Sequence, residues 1–198
     1  MLASIASFIT HAISNLGYLG VAGLMAIESA CIPLPSEVIL PFSGYLVATG
    51  RFSLWLVALA GATGSVVGSM VAYALGAWGG RPLLERYGSR VLVSTDDLDR
   101  ADRWFERHGD LTILVGRVLP VVRTYIGLPG GMTRMNLWRF NAYTFVGSFV
   151  WSLGLAWIGE LLGEHWHTLG SWFHRFDVAI VALVVGAAGW YVYRHVRA

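Results

Sequence analysis

Residues 54–78 read LWLVALAGATGSVVGSMVAYALGAW, a run of 25 residues without a charged side chain. A helix needs about 20 apolar residues to cross the hydrocarbon core of a bilayer, so this run predicts a transmembrane helix. Small side chains recur at every fourth position of the run, at Ala60, Gly64, Gly68, Ala72 and Gly76. Because such a stripe lets a second helix approach closely, we expect the run to pack against neighbouring helices.

The composition of the whole chain also indicates a membrane protein. Charged residues make up 13% of the 198 residues, against about 25% in soluble domains.

A net charge of +2 gives no reason to expect a nucleic-acid partner. The single Cys31 excludes a disulfide framework and a cysteine metal cluster, and His165 and His167 would lie on different faces of a helix. We therefore expect neither a metal nor another cofactor.

A first apolar stretch, before this run, is broken by proline. It spans residues 16–32, carries Glu28 and leads into a segment with prolines at both Pro33 and Pro35. Proline removes a backbone donor and breaks or kinks a helix. The pattern therefore predicts two short helices, near 16–32 and 38–47, around a turn at 33–37, as a re-entrant hairpin within the membrane.

A second broken stretch follows the run. Apolar residues 111–115 are interrupted at 116–124, which holds Pro120, and the sequence Leu128-Pro129-Gly130-Gly131 predicts another break. A further long apolar span is expected over 137–159. The second stretch thus has the same order as the first, a proline-interrupted hairpin followed by a transmembrane helix.

The two stretches are related by an internal repeat. An offset of 88 residues places Pro41 on Pro129, and an offset of 83 places Trp55 on Trp138 and Gly76 on Gly159. Paired proline-interrupted segments at corresponding places in two halves indicate a transporter binding site near the middle of the membrane.

We predict an all-α polytopic fold in one membrane domain, residues 1–198. Its parts are an amphipathic helix at 1–15, a first repeat at 16–80, a cytoplasmic amphipathic helix at 81–110, a second repeat at 111–160, and an outer loop with a last transmembrane helix at 161–198. The N-terminal helix has two open placements, in the membrane interface or packed under the bundle.

The arginines predict the orientation. Ten of them fall on one side of the predicted spans, six within 81–107 together with Arg134, Arg139, Arg194 and Arg197, whereas Arg51 and Arg175 fall on the other. The side richer in arginine is cytoplasmic. The C-terminus is therefore expected in the cytoplasm, and the two repeats are expected to be inverted relative to each other.

Four ionisable residues lie inside the broken stretches, Glu28, Glu37, Arg117 and Arg123. Such residues in a membrane normally face a cavity or each other. One interpretation is a set of structural Glu–Arg ion pairs. The other is a polar site in which arginine holds a phosphate through its planar fork and glutamate is a gating or proton-exchanging group. On a regular helix Arg117 and Arg123 could not share a face, so we expect the break between them to bring both to one cavity.

The motifs around these residues resemble the DedA family of SNARE-associated, or VTT-domain, membrane proteins. They are Glu28-x4-Pro33-x-Pro35-x-Glu37 and Gly116-Arg117-x2-Pro120-x2-Arg123-Thr124, and the resemblance extends over about residues 16–159. It implies two opposed re-entrant hairpins and, in bacteria, return of undecaprenyl phosphate across the inner membrane for envelope synthesis. The family's acids and arginines correspond to the four residues named above. A further acid found in some members after the first hairpin is replaced here by Arg51 and neutral residues.

The sequence leaves three kinds of function to compare: a lipid transporter, a lipid phosphatase and a scaffold. The first is a transporter of a lipid phosphate, for which coupling to protons or another ion stays open. The resemblance also implies, as an alternative, a phospholipid scramblase like the eukaryotic relatives. A lipid phosphatase would need a nucleophile or general base beside the phosphate, and the HExxH, GxSxG and P-loop motifs do not occur, so we expect no enzyme. The third function is a non-transporting scaffold. The exact lipid and the possibility of a homo-oligomer stay open.

Overall fold

A computed structural model of the protein describes residues 2–32, 34–80, 103, 109, 111–119 and 122–163. The first half contains α1 (Leu2–Leu16), α2 (Tyr18–Ser29), α3 (Ser36–Ala48) and α4 (Leu54–Leu75), which continues as a π-helical turn at Gly76–Gly80. The second half contains α5 (residues 111–118), α6 (Val122–Tyr125), α7 (Gly127–Met132) and α8 (Leu137–Leu162). The described residues contain no strand, so the predicted all-helical class is confirmed. Apart from residues 103 and 109, the helix predicted at 81–110 lies outside the described residues, and so does the last predicted transmembrane helix.

Two of these helices are long and apolar enough to cross a membrane. They span Leu54–Gly79 and Leu137–Leu162, 26 residues each, which is about 39 Å at a rise of 1.5 Å per residue. The α8 helix begins where the Asn136 side chain accepts hydrogen bonds from the backbone N–H groups of Trp138 and Arg139, and it ends at Gly163, whose φ is 39°.

The long helices expose large apolar side chains and bury several hydroxyl groups beside apolar ones. Large apolar side chains are exposed along both long helices, including Trp55, Leu59, Val67, Val71, Trp138, Val150 and Leu161. Buried positions on the same helices carry hydroxyl groups, at Ser65, Ser69, Thr144, Ser148 and Ser152. An apolar exterior around polar interior positions is the arrangement that a hydrocarbon solvent favours.

The first broken stretch forms two short helices, as predicted. The α2 helix ends at Ser29, Cys31 has a φ of 71°, and α3 starts after the extended Pro35, so the turn lies slightly earlier than expected. With 12 and 13 residues, each helix is about 18–20 Å long, shorter than the ~30 Å hydrocarbon core. Pro41 is accommodated within α3.

The second broken stretch differs from the expectation at one place. The break predicted at Leu128-Pro129-Gly130-Gly131 is wrong, because α7 runs through these residues from Gly127 to Met132. Pro129 occupies the first turn of α7, where a backbone N–H has no partner inside the helix, so proline costs no hydrogen bond there. The interruption predicted at 116–124 is confirmed, because α5 ends at 118 and α6 starts at Val122.

Glycines let each long helix contact the broken stretch of the other half. A Cβ atom at Gly159 of α8 would collide with the backbone of Pro41, and one at Gly76, which follows α4, would collide with that of Leu128. A second pair of close approaches repeats this exchange, Gly44 on Ala156 and Gly131 on Tyr73. We call these four approaches the exchanged glycine contacts.

The predicted small-residue stripe of α4 also contacts its own half. Added Cβ atoms at Gly64 and Gly68 would meet the carbonyl groups of Ala22 and Ala26 on α2. At the N-terminus, Ile9 and Ile13 of α1 are fully buried in the same apolar core as α2 and α3. This helix therefore packs one face on the bundle, and its placement in the membrane interface stays a prediction.

Candidate functional site

Arg123 connects three helices in the interior of the bundle. It lies on α6 with 7% of its surface exposed, and its Nη2 donates to Oε1 of Glu28 at the end of α2 and to Oγ of Ser36 at the start of α3. Its guanidinium carbon also lies 5.1 Å from the ring centroid of Trp151 on α8, within the range of a cation–π contact. The arginine of the second half is therefore held by both arms of the first broken stretch.

Arg117 is buried beside Arg123 but has no carboxylate partner in the described part of the chain. It is 2% exposed, its Nη1 donates to the backbone carbonyl of Arg123 at 2.8 Å, and its Nη2 donates to Oγ of Ser69 on α4 at 2.6 Å. Its Nε has no hydrogen-bond partner among the residues that the structure describes. Gly147 makes room for its side chain, because a Cβ atom there would lie 2.7 Å from Cβ of Arg117.

The two arginines are brought together by the break between their helices. Arg117 is near the end of α5, Arg123 is in the four-residue α6, and the guanidinium of the first reaches the carbonyl of the second. A continuous helix would separate the two side chains by about 240°. The break therefore brings the Arg117 guanidinium to the backbone of Arg123, and a cavity shared by both guanidinium groups stays a prediction.

The direct contacts among the described residues leave one of the two guanidinium groups without a carboxylate. Two buried guanidinium groups face the single buried carboxylate of Glu28, whose Oε2 atom has no hydrogen-bond partner among the described residues. A buried cation is costly in a membrane unless it is paired or solvated. In the described part of the chain, Arg117 is therefore the buried cation whose hydrogen bonds go to neutral acceptors only.

Glu37 stands apart from the direct contacts. It lies in the first turn of α3, half-buried, and makes no hydrogen bond or ion pair with the side chains that the structure describes. It is near enough to Glu28 for the two carboxylates to act on each other electrostatically. The structure thus joins Glu28, Arg117 and Arg123 directly and places Glu37 at the edge of the cluster.

Three contributors to the site were not predicted from the sequence, Ser36, Ser69 and Trp151. Ser36 directly precedes Glu37, and Ser69 lies next to the Gly68 of the small-residue stripe. Their positions beside residues already singled out could have indicated that these hydroxyls lie near the site. Trp151 had none, because its contact with Arg123 depends on how α8 packs on α6.

The chemistry that the cluster offers is anion binding. Guanidinium groups bind phosphate or carboxylate with two parallel hydrogen bonds, and here the hydroxyls of Ser36 and Ser69 accept hydrogen bonds from Arg123 and Arg117, respectively. Among the described residues, no three His, Cys, Asp or Glu side chains are placed to hold a metal ion.

Comparison with known proteins places the chain in a family. The sequence pattern of the VTT domain matches residues 34–161, a range that contains Ser36, Glu37, Arg117 and Arg123. The chain belongs to the VTT-domain (DedA) family. The match begins after Glu28, so the carboxylate that pairs with Arg123 lies outside the matched VTT domain, on the preceding helix.

Relatives of this VTT-domain protein include bacterial membrane proteins. YkoX of Bacillus subtilis, named as a membrane protein, is 38% identical over 87% of this chain and 78% of its own length. Undecaprenyl phosphate transporter A of the same species is 31% identical over 92% of this chain and 90% of its own length. An alkaline phosphatase-like protein of Lactococcus lactis is 30% identical over 89% and 85%. No solved structure matches the chain.

Proposed function

We propose that this protein is a lipid-phosphate transporter of the bacterial inner membrane, which returns undecaprenyl phosphate to the cytoplasmic leaflet. The observation that carries the proposal is Arg117, a buried guanidinium without a carboxylate partner among the described residues, beside a second buried arginine. A lipid phosphate supplies the missing negative charge and a hydrocarbon chain that suits the apolar exterior. The relative named undecaprenyl phosphate transporter A supports the choice of lipid.

We infer for the architecture two inverted repeats within a single domain of residues 1–198, each with a re-entrant hairpin. The shortness of α2 and α3 and the exchanged glycine contacts support this arrangement. The contact of Pro41 with Gly159 corresponds to that of Leu128 with Gly76, and the second pair of contacts corresponds in the same way. In both cases the residues of the broken stretches are 87 apart in sequence and those of the long helices 83 apart. The arginine count supports a cytoplasmic C-terminus.

In the proposed transport step, the phosphate binds between the two arginines. Arg123 exchanges its bond with Glu28 or Ser36 for a phosphate oxygen, and Arg117 offers its unpartnered Nε. Glu37, which has no partner among the described side chains, is the proposed acid for coupling to protons. The alternative in which Glu28 and Arg123 form a purely structural pair predicts that phosphate never contacts either arginine.

The test uses the purified full chain in phosphatidylcholine vesicles that contain a fluorescent undecaprenyl phosphate. An impermeant quencher added outside measures the transfer of lipid between leaflets. We expect the wild type to transfer the lipid and Arg117→Gln, which removes the charge, to lose transfer at a temperature at which circular dichroism shows that the variant is still folded. Equal transfer by Arg117→Gln and the wild type would contradict the proposal.

A phosphatase is the second candidate, because one relative is named alkaline phosphatase-like. The same vesicles separate the two activities. Release of inorganic phosphate from the lipid would identify an enzyme, whereas transfer without release supports the transporter. Equal transfer of phosphatidylcholine labelled at its head group would indicate a phospholipid scramblase, and no transfer of any lipid would indicate a scaffold.

A further inference from the structure

An apolar groove lies on the outer surface where α4 and α8 meet. Its volume is about 440 Å³, within the ~300–1,000 Å³ typical of ligand pockets. We call it the groove, and its walls include Val66 and Val67 of α4 and Trp138, Ala142 and Phe145 of α8. Trp138 is 80% exposed. Both helices are apolar on this side, as is typical of a surface that contacts lipid chains.

Behind the groove, α8 carries a row of polar side chains. Asn141, Thr144, Ser148 and Ser152 follow each other at intervals of three or four residues, so they share one face of the helix. We call them the polar row. Thr144 and Ser152 are fully buried, and their hydroxyls, like Oδ1 of Asn141, have no hydrogen-bond partner among the described residues. A buried polar group without a partner is costly, so the row indicates that a polar ligand or water contacts it.

The polar row lies between the groove and Arg117. Asn141 belongs to both the groove wall and the row, and Gly147, on the other flank of the row, packs against the Cβ of Arg117. On α4 the order is the same, since Val66 lines the groove and Ser69, one turn later, accepts a hydrogen bond from Arg117. From the lipid-facing groove inward to Arg117, the side chains thus change from apolar to polar.

We propose that the seam between α4 and α8 is the lateral route by which a lipid phosphate reaches Arg117. The hydrocarbon chain occupies the groove, and the head group passes along the polar row to the guanidinium. This inference rests on the proposed function for the nature of the cargo. It adds the direction from which the lipid arrives and the side chains that conduct its head group.

The first experiment tests occupancy of the groove. A photoreactive benzoylphenylalanine replaces Ala142 in the full chain, which is placed in phosphatidylcholine vesicles with either undecaprenyl phosphate or undecaprenol. The matched control is the same residue at Gly154, also on α8, where an added Cβ atom meets nothing within 4 Å. We expect several-fold more adduct with undecaprenyl phosphate than with undecaprenol at position 142, and no such preference at 154.

Other adducts overturn the inference. Equal labelling of both lipids at position 142 would show that the groove only holds bulk hydrocarbon. Adducts between two copies of the chain would show an interface instead. If transfer between leaflets is normal while the phosphate preference is missing, the lateral route fails and the proposed function stands. If transfer is absent in the wild type as well, both fail.

The second experiment tests the polar row without harming the fold. Thr144→Val keeps the side-chain shape and removes a hydroxyl that has no partner in the described structure, so the unfolding temperature should be unchanged or higher. We expect the transfer rate to fall about tenfold, the effect of a lost hydrogen bond to a charged group. The control, Thr10→Val, removes a hydroxyl bonded to the carbonyl of Ser7 in the same helix and should leave the rate unchanged. A normal rate in Thr144→Val would exclude the row from the route.

Discussion

Arg117 donates a 2.8 Å hydrogen bond to the backbone carbonyl of Arg123. The first arginine therefore fixes the peptide that carries the second, in addition to presenting its own charge. Because α6 is only four residues long, this bond contributes to holding Arg123 in place where a longer helix would supply its own backbone hydrogen bonds. Loss of Arg117 is thus expected to affect both the charge of the site and the position of Arg123.

The bidentate fork of Arg123 should matter as much as its charge. Arg123→Lys keeps the charge but cannot reach Glu28, Ser36 and a phosphate with the same geometry. We expect lipid transfer to fall nearly as far as in Arg123→Ala. Arg103→Ala, which removes an exposed side chain, is the control and should transfer lipid normally. Normal transfer by Arg123→Lys, combined with an unstable Arg123→Ala, would show that Arg123 holds the fold and does not bind phosphate.

Ser69 should stabilise the site through its bond to Arg117. Ser69→Ala removes the acceptor of a buried charged donor, so we expect a loss of about 1.5–3 kcal/mol in the free energy of unfolding. The matched control is Ser43→Ala, because this fully buried hydroxyl donates only to the Ile39 carbonyl of its own helix. Thermal unfolding of both variants in detergent gives the comparison, and equal losses would refute a special role for Ser69.

Gly159 should tolerate no side chain. In Gly159→Ala the new Cβ atom would collide with the backbone of Pro41, and overpacking of this kind costs about 1–3 kcal/mol. Gly154→Ala on the same helix meets no neighbour and should be neutral or slightly stabilising, since alanine is the better helix former. Unfolding temperatures of the two variants measure the difference. A stable Gly159→Ala would show that α8 can move away from α3 to make room for the side chain.

Glu37 should control the pH dependence of transport if it exchanges protons. Glu37→Gln keeps the size of the side chain and removes the titratable group. We expect a folded protein whose transfer rate no longer varies with pH, measured in vesicles over a range of equal internal and external pH. An unchanged pH profile would leave Glu37 a structural role only.

The orientation can be tested with cysteines in a Cys31→Ala background. A cysteine at Arg90 or at Ala198 is expected to resist an impermeant thiol reagent in intact cells, because both positions should be cytoplasmic. A cysteine at Arg51, on the opposite side, should react. Labelling at both Arg90 and Ala198 would invert the topology.

The sequence predicted the parts of the fold that depend on local signals. The charge-free run gave α4, and the prolines gave the break between α2 and α3, because length, polarity and the missing backbone donor act within a few residues. The prediction of a break at Pro129 was wrong, because the free-energy cost of a proline in a helix depends on its position. The first turn of α7 tolerates it.

The site was predictable in its charged residues but not in their pairing. Glu28, Arg117 and Arg123 were found because ionisable residues are costly in an apolar sequence. That Arg123 pairs with Glu28 while Arg117 binds Ser69 depends on helices distant in the chain, and no spacing encodes that choice. Trp151 likewise depends on tertiary packing.

The exchanged glycine contacts have a consequence for how the chain assembles during synthesis. Gly76 leaves the ribosome before Leu128, so α4 enters the bilayer while the backbone that it will pack against has not been made. The first half must therefore wait in an incomplete state until the second half inserts. A chain severed between 80 and 111 should yield two pieces that are each degraded when made alone and that rescue each other when made together.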